Sequence, residues 1–200
     1  MPTVLVTAYE PYDTWQENSS WLTLIELTKS LPETPAITTR LYPVDFAGMR
    51  KRLTDDLEGD FDYALHLGQA PGIGNVQLEA VGLNVGGSSE QTPDEYKPLV
   101  AEGPVAYRSD LPLVEWADKL RKAGIPSQVS YHAGTFLCNA TLYLSHYLAE
   151  QKRLKTRSTF IHLPLEISQT LSSSEDFAAM PVGTLVAAVR LILDELATAP

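Results

Sequence analysis

Alternation constrains this chain more than any other feature. Short apolar runs, rich in β-branched residues, exchange with segments of helical period. Thr3–Thr7, Ile37–Val44, Tyr63–Leu67, Gln128–Tyr131 and Thr159–Leu163 read as strands. Between them, Ser19 or Ser20 caps a helix through Trp21, Leu24, Ile25 and Leu31. Asp45 caps a second, whose apolar residues Phe46, Met49, Leu53 and Leu57 recur at helical spacing. Leu113–Lys122 is amphipathic and stops at Gly124, Thr135–Gln151 is a long helix, and Pro181 opens a last helix to about Leu196. Val76–Val85 is extended, with a hairpin as one reading. Gly86–Asp110 reads as a loop. Repeated β–α alternation predicts an α/β fold with a largely parallel sheet between helices. With 200 residues and no linker or repeat, a single domain over 1–200 is expected.

Charge and cysteine usage narrow the function. The net charge of -10 repels phosphate backbones and supplies no basic patch for an anionic membrane, which argues against nucleic-acid and membrane partners. A single cysteine cannot form an intrachain disulfide and points to a reducing compartment. The start, Met1 to Thr7, lacks the basic and apolar regions of a signal peptide, and no stretch approaches the ~18 apolar residues of a membrane span. The expected location is cytoplasmic.

In a parallel sheet, ligands bind beyond the carboxyl ends of the strands. That edge is expected to gather Tyr9, His66 to Gln69, His132, His162 to Pro164 and the first turn of the helix holding Cys138. A helix N-terminus favours an anion, as a thiolate nucleophile requires, although a lone cysteine is more often a small buried hydrophobe. His146 lies eight residues along the same helix, roughly 12 Å away, too far to act as its base. His66 reads equally well as a satisfied core residue. His162 and His132 are the two serious candidates for the base. Alternation puts Val76, Leu78 and Ala80 on one face of their strand and Gln77, Glu79 and Val81 on the other. Glu79 could orient a histidine or could simply be solvated. Gly72-Ile-Gly74 lacks the third glycine of a dinucleotide site. Neither Gly-x-Ser-x-Gly nor His-Glu-x-x-His occurs, which argues against those hydrolase classes.

Four stretches resemble one family, pyroglutamyl peptidase I or pyrrolidone-carboxylate peptidase. Val4-Leu-Val-Thr-Ala-Tyr-Glu-Pro-Tyr12 is similar to its opening strand and aromatic loop. His66-Leu-Gly-Gln-Ala70, with Glu79 and Asn84 following, is similar to its glutamate block. Ala133-Gly-Thr-Phe-Leu-Cys-Asn139 is nearly its nucleophile motif, and Phe160-Ile-His-Leu-Pro164 its histidine motif. The resemblance implies a three-layer α/β/α fold. It also implies a cytoplasmic cysteine exopeptidase that removes N-terminal pyroglutamate from peptides, with Cys138 as nucleophile, His162 as base and Glu79 as third member. It implies no metal or cofactor, and a homo-oligomer, dimer or tetramer. Tyr9, Tyr12, Gln69 and Asn18 are its candidate substrate-binding residues; the two tyrosines stand where the family has aromatics that grip the ring. Three places in the chain depart from the family pattern. Pro71-Gly72-Ile73 replaces Gly-Gly-Arg, Ala80 replaces an arginine beside the glutamate, and Ser89 replaces an arginine ten residues after it. The last change removes a fixed positive charge near the reacting atoms and motivates an alternative: a weakened relative that binds pyroglutamyl peptides or pyroglutamate without efficient turnover.

Overall fold

A computed structural model describes residues 1–88, 90–171 and 173–198; Ser89 lies outside the described residues. Among them the strands are β1 Thr3–Tyr9, β2 Ala36–Tyr42, β3 Tyr63–Gln69, β4 Val76–Glu79, β5 Val81–Leu83, β6 Ala106–Arg108, β7 Ser127–Ser130, β8 Arg157–Leu163, β9 Leu165–Glu166 and β10 Ala179–Met180. The α-helices are α1 Ser19–Thr28, α2 Phe46–Asp56, α3 Leu113–Lys122, α4 Leu137–Lys152 and α5 Val182–Thr198.

Six strands form the central sheet in the order β2-β1-β3-β8-β4-β7. Every neighbouring pair is parallel except β4 with β8, so β4 and β7 run against the other four. The inner strands are apolar on both faces because both faces are covered. On one face, Leu24 and Leu27 of α1, Trp116 and Leu120 of α3, and Ile192 and Leu193 of α5 pack on Val4, Val6, Leu65, Leu78 and Ile161. On the other, Met49 and Leu53 of α2 and Ala140, Leu142 and Tyr143 of α4 pack on Leu5, Ala64 and Phe160. Complete burial of such side chains contributes roughly 1.5–3 kcal/mol each. The result is the expected single α/β/α domain.

Several local expectations change. The cap of α1 is Asn18, whose Oδ1 accepts from Ser20 N at 3.0 Å, rather than either serine. That helix ends at Thr28, leaving Leu31 beyond it and 40% exposed. Asp45 does cap α2, through Gly48 N. Val76–Val85 is no hairpin: β4 joins the central sheet, while β5 pairs antiparallel with β6. That partner comes from the stretch expected to be all loop, where Ala106–Arg108 is too short to show a period. α4 begins at Leu137 rather than Thr135, because Phe136 is its N-cap and takes an extended backbone, φ -95° and ψ -152°.

Candidate active site

The site lies at the carboxyl end of β8, under the start of α4. Alternation along β8 sends Ile161 and Leu163 into one core and Phe160 and His162 toward the α4 side. Because β4 runs antiparallel to β8, Gln77 stands opposite His162 and Glu79 opposite Phe160. Glu79 is therefore a diagonal neighbour of His162 on the same face. Its Oε1 lies 2.7 Å from His162 Nδ1, and its carboxylate is wholly buried. With Nδ1 held there, the ring presents Nε2 to the cleft.

Cys138 is the second residue of α4, and with His162 it lines a cleft of about 620 Å³. The first bond of the helix ladder runs from Ala140 N to Phe136 O. The N–H groups of Leu137, Cys138 and Asn139 precede that ladder and project at its positive end. Burial opposes charge on His162. The neighbouring Cys138 sulfur, also hydrogen-bonded to the ring, and the Glu79 carboxylate outweigh it and push the imidazole up to about 10. A carboxylate, an imidazole and a thiol in this order can activate a sulfur nucleophile and carry its proton.

Two supporting residues were not singled out from sequence. Asn139 ties the start of α4 to the end of β5 and the chain just beyond it. Its Oδ1 accepts from Leu83 N at 2.8 Å, and its Nδ2 donates to Leu83 O and Val85 O, each at 2.9 Å. Gly68 faces His162 across the β3–β8 register. A Cβ there would lie 2.5 Å from Phe160 Cζ and 3.1 Å from Cys138 Sγ. Only glycine lets the sulfur and the phenyl ring share that space. Both residues stand inside quoted motifs, but neither asparagine nor glycine carries a periodic signal of its own.

The remaining candidates separate. His132 is exposed and does not line the cleft: β7 runs against β8, so its end does not open onto the carboxyl rim. His66 lines no part of it either. It is fully buried between Thr7 Oγ1 at 2.9 Å and Ser145 Oγ at 3.2 Å, and burial, with a further push from His146, lowers it to about 3. No three His, Cys, Asp or Glu side chains are gathered as a metal site among the described residues.

Tyr9, Tyr12, Gln69 and Asn18 all line the cleft, in different ways. Tyr9 belongs to the end of β1 rather than to the loop after it. It is buried, hydrogen-bonded to Thr141 and packed on Tyr42 and Phe160, so it is a core wall. Burial drives its phenol well above the ordinary tyrosine value. Tyr12 is half-buried and donates to Gln69 O at 3.3 Å. Asn18 is committed to its cap and to Glu10 O. Gln69 Oε1 accepts from Ser19 N and from Gln169 Nε2, each at 2.7 Å, while its buried Nε2 has no acceptor.

Comparison with known proteins places these features in context. The pyroglutamyl peptidase family matches residues 2–198. The chain is similar to the pyrrolidone-carboxylate peptidase of Clavibacter michiganensis, at 35% identity over 96% of this chain and 93% of that one. It is similar to the one from Thermococcus kodakarensis at 34% identity, over 96% of this chain and 97% of that one. Among solved structures it resembles the pyrrolidone carboxyl peptidase of Fervidobacterium islandicum. That likeness has a TM-score of 0.91 and 30% identity, and covers 98% of each chain.

Proposed function

This chain belongs to the pyroglutamyl peptidase family, and on that premise we propose that it hydrolyses the bond after an N-terminal pyroglutamyl residue through Cys138, His162 and Glu79. The observation that carries the reading is the 2.7 Å contact of His162 Nδ1 with Glu79, on a histidine that shares its cleft with Cys138. Cys138 Sγ attacks the pyroglutamyl carbonyl. The N–H groups of Leu137, Cys138 and Asn139 are available to the oxyanion, where each well-placed donor contributes roughly 3 kcal/mol. As the C–N bond breaks, His162 passes its proton to the departing amine. The thioester is then hydrolysed by a water that His162 deprotonates, releasing pyroglutamate and the thiol. Glu79 keeps Nδ1 protonated and stabilises the imidazolium.

Tyr9 supplies the fixed wall of the ring slot and Tyr12 its movable one. Gln69 offers its free Nε2 to a carbonyl, and Asn18 holds α1 in place beside it. Cytoplasmic residence and assembly into a dimer or tetramer are part of the same proposal. No described helix is long and apolar enough to cross a membrane. The non-catalytic alternative draws no support from a site in which thiol, imidazole and carboxylate meet.

A fluorogenic pyroglutamyl amide tests the proposal. The expected result is turnover that iodoacetamide abolishes and EDTA leaves intact. The matching prolyl amide, which lacks the ring carbonyl and carries a charge, should be a very poor substrate. Equal use of both amides, or EDTA sensitivity without thiol sensitivity, would overturn it.

A further inference from the structure

The cleft walls carry a charge pattern that the reaction itself does not require. Asp13, in the loop after β1, and Glu90, in the loop after β5, both line the cleft that holds Cys138 and His162. No lysine or arginine lines it among the described residues. Both carboxylates are exposed, and neither has an ion-pair partner among the described residues. Tyr12 and Tyr96 line the same opening and offer aromatic faces, on which a cation or its alkyl stem can rest. Gln69, buried in the same lining, has an Nε2 without an acceptor, so the cleft holds an unfilled donor suited to a carbonyl-bearing occupant.

We infer that Asp13 and Glu90 select pyroglutamyl peptides whose residue after pyroglutamate is cationic. This rests on the peptidase reading above. The pyroglutamyl ring is neutral and has no amine to ionise, so a field from the walls exerts no net pull on the acyl part of a pyroglutamyl substrate. It acts only on the departing part of the substrate. Two unneutralised carboxylates attract a lysine or arginine side chain there and repel an aspartate or glutamate. Being exposed, they act through water, so the selection is moderate and fades as salt shortens the screening length from about 10 Å at 0.1 M to about 3 Å at 1 M.

The test uses three peptide amides that begin pyroglutamyl-Lys, pyroglutamyl-Ala and pyroglutamyl-Glu. Release of pyroglutamate is followed in low and high salt, with wild type and with the Asp13→Asn/Glu90→Gln pair. The expected order of kcat/KM is Lys, then Ala, then Glu, spanning about tenfold at low salt. The Lys-to-Glu ratio should fall toward one in 1 M salt and, independently, in the double variant. Cleavage of all three at equal rates would overturn the inference and leave the peptidase reading standing. So would a preference that neither salt nor the double variant alters. Cleavage of none of them would overturn the peptidase reading, and the inference with it.

Discussion

His66 and His162 stand on adjacent strands, on the same face of one sheet, beneath the same helix. His66 pairs in register with Phe160 and stacks on its ring, with centroids 6.4 Å apart; His162 meets the same ring at 4.9 Å. Burial disfavours the charged form of both, yet His66 is held down to about 3 and His162 up to about 10. The difference lies in what each ring touches. His66 is hydrogen-bonded to two hydroxyls, Thr7 and Ser145, which bind a neutral imidazole without rewarding a charged one, and His146 pushes it the same way. His162 has the Glu79 carboxylate on one side and the Cys138 sulfur on the other, and both favour its charged form. A histidine in this sheet becomes a structural spacer or a proton carrier according to the groups beside it.

The comparison breaks most completely at Cys138. Cys138→Ala should lower turnover by on the order of 10⁶, since no other residue in the cleft replaces the sulfur, and thermal melting should show the fold intact. Next come the two histidines themselves. His162→Ala should remove nearly all activity. His66→Ala should leave the folded enzyme within about tenfold of wild-type kcat/KM but cost about 2–4 kcal/mol of stability, because Thr7 and Ser145 lose their partner.

Glu79→Gln should fall between these, at roughly 10²–10⁴ in rate. The imidazolium is the acid that protonates the leaving amine, so activity fails as pH rises through its value of about 10. Glu79 raises that value, so the alkaline limb of the glutamine variant should move to lower pH. An unmoved limb would separate Glu79 from His162.

Acid sharpens the contrast from the other side. His66 takes up a proton readily when unfolded, near 6.5, but only near 3 when folded. Its contribution to stability is complete above pH 6.5 and declines by about 1.4 kcal/mol per pH unit below it. Urea unfolding between pH 4 and 7 should show this contribution as a slope steeper in wild type than in His66→Phe by about 1.4 kcal/mol per pH unit, while the slope from His146, lowered by burial to about 4, remains in both. Gly68→Ala should have the smallest effect. Relieving a Cβ placed 2.5 Å from Phe160 Cζ and 3.1 Å from Cys138 Sγ should cost about 1–3 kcal/mol of stability, with a fall in kcat larger than any change in KM.

Much of this was legible in the sequence, for identifiable reasons. Periodicity marked the core strands and the helices, because β1, β3 and β8 are buried on both faces and α3 has a clean amphipathic face. It also put Glu79 on the face away from Val76 and Leu78, and that is the face on which His162 lies. Strand direction was not legible. The reversal of β4 and β7 depends on long-range pairing, and it is the reason His132 fell outside the rim where it was expected. The split between Tyr9 and Tyr12 was hidden as well. Three residues apart in sequence, one is sealed into the core by Thr141 and Phe160 and the other stays half open. Gly68 and Asn139 act through a missing side chain and through bonds to a distant backbone, and neither leaves a local pattern.

NMR titration of the histidine rings in wild type and in Cys138→Ala tests the coupling of thiol and imidazole most directly. The predicted result is a His162 ring that stays protonated to about pH 10 in wild type and releases its proton at distinctly lower pH once the sulfur is gone, while His66 stays neutral down to about pH 3 in both. A His162 ring that titrates at the same pH in both proteins would contradict the pairing of Cys138 with His162.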